Sequence, residues 1–280
     1  MFGSRLPQKP DRPVSAVVTG AGSGIGRSFA LEIARRGGAV LCSDINETSA
    51  RATAEEIRAF GGEAHAVVCD VSKLSAVQKL AKDAETLLSE PVSLVINNAG
   101  VGVGGTPVGE TTMADWKWTL GINLWGVIHG CHVFAPKLRE QGYGGIINVA
   151  STASYSAAPL MGPYNVSKAG ALALSETLSA ELAGTGVKVT ALCPTLVKTN
   201  IGDNGRIIGD TSRLFHRLMD RFGVSPDKVV RMTLDAHQRG DLYVMPQFDA
   251  RLIWRTKRFV PRSYAMGVGL VNRFGLSRIH

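Results

Sequence analysis

Tyr164 and Lys168 stand four residues apart in a stretch with helical periodicity, and Ser151 precedes the tyrosine by thirteen positions. Positions i and i+4 share one face of a helix, so a phenol and an ammonium spaced this way lie side by side over one pocket. A fixed cation favours the phenolate, and the spacing therefore predicts a tyrosine pKa brought down from about 10 toward a range useful for acid–base work. Ser151 ends the apolar run 144–151, which puts its hydroxyl at a strand tip beside the pair. The three groups suit proton transfer. Singly, each has a plainer use: the serine as a turn residue, the lysine as a solvated surface charge.

A second constellation stands near the N-terminus. Thr19-Gly20-Ala21-Gly22-Ser23-Gly24-Ile25-Gly26 follows an apolar run and opens a helical pattern. Glycines there let the backbone turn sharply against a pyrophosphate, and the helix start offers free N–H groups and a positive dipole end. Asp44, with Ile45 beside it, closes the next apolar run 18 residues beyond Gly26, near the roughly 20-residue interval at which a carboxylate reaches the adenosine ribose. A carboxylate repels a 2′-phosphate, and Ser23 stands in a turn without Arg or Lys, so NAD is favoured over NADP. Asp44 could equally cap the helix that opens at Asn46. Asp70-Val71 and Asn97-Asn98-Ala99-Gly100 end the following two runs, and in an open α/β sheet such strand ends face one crevice.

The elements that must position these groups alternate. Apolar runs at 14–19, 39–44, 64–69, 92–97, 145–150, 187–193 and 241–246 are separated by helical patterns at 24–37, 47–60, 73–89, 113–141, 162–183 and 226–239. This predicts an α/β fold: a Rossmann-type doubly wound parallel sheet of about seven strands with helices on both faces. The chain divides into an N-terminal arm (1–13), a dinucleotide-binding catalytic domain (14–249) and a basic amphipathic C-terminal extension (250–280). Within the domain, the polar, glycine-containing stretch 200–224 is expected to be a mobile lid over a pocket.

At 280 residues, with 45% hydrophobic and 19% charged side chains, the chain can bury a sizeable core. No apolar run reaches the roughly eighteen residues of a membrane span. The polar, proline-rich start does not read as a secretory signal, so a cytoplasmic setting is expected. Cys42, Cys69, Cys131 and Cys193 are scattered, which argues for buried thiols rather than disulfides. His129 and His132 have helical spacing but no third ligand in a known pattern, so no metal is expected.

The ordered set of motifs resembles the short-chain dehydrogenase/reductase family over about residues 14–246. It comprises the glycine turn at 19–26, Asp70, the Asn-Asn-Ala-Gly run, Asn123, Ser151, the Tyr164–Lys168 pair, Pro194, Val197 and Thr199. Thr195 departs from the family, which usually has glycine after the proline. The resemblance implies an NAD(P)-dependent alcohol dehydrogenase or ketone reductase in which Tyr164 exchanges a proton with the reacting oxygen while hydride moves to or from the nicotinamide. Lys168 would hold the nicotinamide ribose and tune Tyr164, and Ser151 would bond the reacting oxygen. Asn123 would hold a water leading from Lys168 to solvent, and Val197 and Thr199 would meet the carboxamide. It also implies a homodimer or homotetramer built on the helices at 113–141 and 162–183, whose Trp116, Trp118 and Trp125 belong to core or interface.

Val101, Val103, Thr152, Tyr155, Leu160, Met161 and Leu196 are expected around the substrate. Their apolar character favours a hydrophobic secondary alcohol or ketone of steroid, terpenoid or aryl type. Alternatives are another carbonyl substrate with NADP, or an NAD-binding protein without catalysis. The formal charge of +8 comes mostly from the tail 250–280. No nucleic-acid module accompanies it. The tail either packs on the body or a neighbouring subunit, or lies on an anionic membrane surface.

Overall fold

Residues 13–202 and 205–273 are described by the structure, a computed structural model. Residues 1–12 of the arm and 274–280 of the tail lie outside them. In chain order the elements are β1 (Ser15–Thr19), α1 (Gly24–Arg35), β2 (Ala39–Asp44), α2 (Glu47–Ala59), β3 (Ala64–Val68), α3 (Leu74–Leu87), β4 (Leu94–Asn97), β5 (Val103–Gly104) and α4 (Met113–Leu120). A π-helical turn (Gly121–Trp125) leads into α5 (Gly126–Gln141), β6 (Gly144–Val149), α6 (Ala153–Ser156), α7 (Gly162–Glu181) and β7 (Val187–Leu192). Then come β8 (Arg206–Ile207), α8 (Gly209–Phe222), α9 (Pro226–Arg239), β9 (Tyr243–Val244), α10 (Phe248–Phe259) and α11 (Pro261–Val271).

The main sheet is seven-stranded, in the order β3-β2-β1-β4-β6-β7-β9, and every pairing in it is parallel. The chain runs outward from β1 to β3, then returns to place β4 on the other side of β1. At that reversal no helix connection covers the carboxyl ends of β1 and β4, and a crevice opens there. Successive strand residues serve opposite faces. Val18, Cys42, Ile96 and Ile147 meet Phe29 and Ile33 of α1, Ile57 of α2 and Val230 of α9. Val17, Leu41, Val95 and Ile146 meet Leu80 of α3, Phe134 and Leu138 of α5 and Leu178 of α7. Each large apolar side chain so enclosed is worth about 1.5–3 kcal/mol against exposure. All four cysteines are buried free thiols.

Two expectations need correction. The stretch 200–224, expected as a polar lid, holds regular structure: apart from 203–204, which lie outside the described residues, it supplies β8 and α8. Strand β8 pairs with β5, Arg206 bonds Asp115 at 2.6 Å and stacks 4.1 Å over Trp118, and Val224 bridges Val197. The helix expected at 113–141 is interrupted by the π turn, whose centre is Asn123.

His237 of α9 is buried against β6, where a Gly145 side chain would lie 2.1 Å from its Nε2, and it shares a 2.9 Å hydrogen bond with Thr190. Burial, with a smaller push from Lys188, lowers its pKa from 6.5 to about 3. A depressed folded-state pKa gives stability that is complete above the unfolded value and lost as pH falls toward the folded one. One proton's worth of slope, about 1.4 kcal/mol per pH unit, is therefore lost on acidification below about pH 6.5. Urea denaturation of wild type and His237→Gln across this window should show their stability difference narrowing by that slope; a constant difference would refute it.

Candidate active site

The turn from β1 to α1 is too tight for side chains. Gly20 (φ 66°) and Gly24 (φ 53°) adopt left-handed backbone. A side chain at Gly22 would lie 2.3 Å from Ser49 Oγ, and one at Gly26 would lie 2.1 Å from the carbonyl oxygen of Gly20. Ser23 makes no side-chain cap and the first turn of α1 carries no acidic residue. The leading N–H groups, including that of Ile25, are thus available to an anion. Both oxygens of Asp44 accept backbone hydrogen bonds at 2.9 Å, from Gly22 and from Asn46. The cap of α2 is Asn46, which accepts from Ser49 N at 3.1 Å, so Asp44 shapes the glycine turn instead of capping. Ile45 beside it is exposed.

The carboxyl ends of β1 and β4 are stitched together. Thr19 Oγ1 accepts from the N–H groups of Asn98 (3.0 Å) and Ala99 (3.1 Å), and Asn98 Nδ2 donates to Thr19 O at 2.8 Å. Burial would raise the Asp70 carboxyl, but hydrogen bonds from Ser72 and the Lys73 ammonium outweigh it and hold it below the usual range. Val71 is buried, and its carbonyl meets His129 Nδ1 at 2.9 Å. Across the crevice, Thr199 Cγ2 lies 3.0 Å from where a Gly24 side chain would begin. The chain after Pro194 therefore closes over the glycine turn.

At the other end of the crevice Lys168 is buried, and its Nζ donates to Val149 O at 2.8 Å while lying 5.8 Å from the centre of the Tyr164 ring. Ser151 Oγ accepts from Ala153 N at 3.1 Å, which leaves its proton to donate. The turn leading into α7 is held in left-handed backbone at Ala157 (φ 53°) and Leu160 (φ 61°), conformations costing about 1–3 kcal/mol each. Gly105 N, donating to Leu160 O at 2.8 Å, and Asn165 Nδ2, donating to Ala158 O at 2.7 Å, hold it there.

The expected lowering of the tyrosine pKa is overturned. Desolvation raises Tyr164, and the nearby Ser151 hydroxyl offsets this only in part. Burial also depresses Lys168 from 10.5 to about 8, against a small opposing effect of Cys193. Spacing placed the charge correctly, but desolvation governs both groups.

Residues 15–206 match the short chain dehydrogenase family. The chain belongs to that family. It is 43% identical over 185 residues to the "Probable oxidoreductase EphD" of Mycobacterium tuberculosis, a match covering 66% of this chain and 31% of that protein. The chain thus corresponds to less than a third of that relative's length. It is 35% identical to the 1-deoxy-11-beta-hydroxypentalenate dehydrogenase of Streptomyces avermitilis over 67% of this chain and 70% of the relative. A short-chain dehydrogenase/reductase from Burkholderia phymatum, solved in complex with NAD, superposes with a TM-score of 0.84 at 33% identity over 90% of this chain and 95% of that one.

In this member of the family the residues expected around the substrate divide into two groups. Val101 comes from the loop after β4, Val103 from β5, Leu160 and Met161 from the strained turn and Leu196 from the loop after β7, and Met161 packs against Gly104. Thr152 instead spends its hydroxyl on Pro194 O at 3.0 Å. Tyr155 is buried with Leu172 and Cys193 against Ile253 and Trp254, its hydroxyl donating to Ala250 O at 3.2 Å, so it belongs to the seam beneath α10. Thr195, the family departure, donates N–H to Gln247 Oε1 (3.2 Å) and Oγ1–H to Asp249 Oδ1 (3.1 Å). Gln247 and Asp249 were not found from the sequence; the threonine in place of glycine was their only signal.

Asn123 is fully buried and bonds both backbone groups of Val101, accepting from its N–H at 2.8 Å and donating to its carbonyl at 2.9 Å. It is a brace for the strand-end loop. Asn123→Ala should lower stability by about 1–3 kcal/mol for each backbone group left without a partner, read from chemical denaturation; unchanged stability would remove the brace from the account.

Proposed function

We propose that the protein is an NAD-dependent oxidoreductase interconverting a hydrophobic secondary alcohol and its ketone, with Tyr164 as general acid and base. The observation carrying this reading is the convergence of Tyr164, Ser151 and Lys168 at one end of a crevice whose other end is the glycine turn. The turn fits a dinucleotide: its backbone admits no side chain, the start of α1 carries no side-chain cap, and Asp44 would meet the adenosine ribose. Asp70, Val71, Asn98, Ala99 and Gly100 would flank the adenine and ribose, with Pro194, Val197 and Thr199 at the nicotinamide end. The bound dinucleotide supplies the hydride donor or acceptor.

The protein's own part is to manage one proton. A phenol is protonated at neutral pH, and desolvation raises Tyr164 further, so it is ready to donate to a carbonyl oxygen. Ser151, fixed by the Ala153 N–H, gives its hydrogen to the same oxygen as charge develops there. In the reverse direction the phenolate must form first, so alcohol oxidation should become faster as pH rises above neutrality. Lys168 supplies the counter-charge, and Asn123 holds the adjoining loop. The Asp44 carboxylate repels a 2′-phosphate, which favours NAD.

The substrate class rests on Val101, Val103, Leu160, Met161 and Leu196, a lining without a cation to pair a carboxylate. The name of the Streptomyces relative supports a hydroxyl-bearing substrate. A homodimer or homotetramer through α4–α5 and α7 is in keeping with the exposed Trp125 in the π turn between α4 and α5 and the exposed Val166 on α7. No described helix is long and apolar enough to cross a membrane, and a cytoplasmic setting is part of the proposal.

Tyr164→Phe should cut turnover of a hydrophobic secondary alcohol by about 10²–10⁴ while NAD affinity, read by fluorescence titration, stays within about twofold. Retained turnover would refute the assignment. Asp44→Ala should raise the ratio of NADP to NAD efficiency, and an unmoved ratio would exclude Asp44 from cofactor choice. A flat pH profile for oxidation above neutrality would contradict the phenol as base.

A further inference from the structure

Helices α10 and α11 grip the body with one face and present the other uncovered by the described residues. On the inner side Ala250, Ile253 and Trp254 pack on the seam with Tyr155, and Tyr264 donates its hydroxyl to Ser156 O at 2.8 Å. On the outer side Phe248 (74% exposed), Leu252 and Phe259 (78%) follow one another at helical spacing along α10. Val260 at the joint and Met266 (70%) and Leu270 on α11 continue the exposed apolar set. Arg251, Arg255, Lys257, Arg258 and Arg262 are interleaved with it. Asp249 is the sole acid from 248 to 271, and it is engaged by Thr195 and by Ala250 N. Among the described residues no carboxylate pairs with Arg251, Arg255 or Arg262.

We infer that this face docks on an anionic lipid surface. The side chains have the form such docking needs: apolar groups to enter the acyl boundary and unpaired cations to meet headgroup charge. A second copy of the chain fits poorly, because a two-fold contact through this face would set two arginine clusters against each other. The docking face is continuous with the active-site loops. Gln247 Nε2 donates to Leu196 O at 3.1 Å, and Gln247 and Asp249 hold Thr195, so the root of the lipid-facing helix forms part of the pocket's rim. The inference does not depend on the proposed substrate, because vesicle binding is read without turnover.

Co-sedimentation of the full chain with phosphatidylcholine vesicles, and with vesicles of phosphatidylcholine and phosphatidylglycerol, tests it. Pelleting is expected with the anionic vesicles, weakening as salt is raised. Each cation near such a surface is worth about fivefold in partition, so R251E/R255E/R258E should bind more than tenfold less tightly, and L252S/F259S/M266S should release as well. Far-ultraviolet circular dichroism and unchanged dehydrogenase activity on a water-soluble alcohol control for folding, and the single R255E offers a milder change. Equal pelleting with both vesicle types, or variants that bind like wild type, would overturn the inference. So would sedimentation velocity showing that L252S/F259S/M266S splits an oligomer, which would make a second copy the occupant.

Discussion

Lys168 lies in the core of the molecule, 3% exposed, with its ammonium 2.8 Å from the carbonyl oxygen of Val149, the last residue of β6. A cation so placed survives only with a partner, and this bond fixes where α7 sits on the sheet. Tyr164 is one turn earlier on the same helix, and Ser151 is two residues beyond Val149 on the same strand exit. The relative placement of phenol, hydroxyl and ammonium thus follows from one contact. Further along α7 a neutral polar ladder repeats the anchoring: Asn97 Nδ2 donates to Asn148 Oδ1 (2.8 Å), and Asn148 Nδ2 donates to Ser175 Oγ (2.9 Å). All three residues are buried, so the helix cannot slide without stranding polar groups.

Burial is also what gives the site its chemistry. It raises the phenol and lowers the ammonium, so desolvation favours the uncharged form of each. A spacing argument alone foresees the opposite for Tyr164, because it counts the charge nearby and not the water removed. The surrounding loops have separate anchors: the glycine turn on Asp44 and Thr199, the segment 99–101 on Thr19 and Asn123, the chain after β7 on Gln247 and Asp249. Each anchor comes from a different part of the sequence, and together they bound the crevice at the sheet's topological switch.

Much of this was legible in the sequence because parallel strands buried on both faces read as continuous apolar runs. The strands at 14–19 and 39–44 and the helix at 226–239 emerged nearly residue for residue. The two-residue strands β5 and β8 could not, since their pairing is set by tertiary contact rather than local pattern. Helix α8 was hidden by Gly202, Gly205 and Gly209 at its approach, although Leu214, Phe215, Leu218, Met219 and Phe222 carry a helical period. The π turn at Asn123 left no periodic trace, and the tie between Asn123 and Val101 depends on a loop 22 residues away. Tyr155 was drawn to the pocket by its nearness to Ser151 in the chain, whereas α10, about a hundred residues on, claims it.

The central claim is that proton handling here is governed by desolvation of a paired lysine and tyrosine. Selective ¹³C labelling of lysine and NMR titration of the Lys168 side chain measures this directly. The account predicts a midpoint near 8, well below the value of about 10.4 for a solvated lysine side chain. A Lys168 midpoint at the ordinary value of 10.5 would show a solvated ammonium and contradict it.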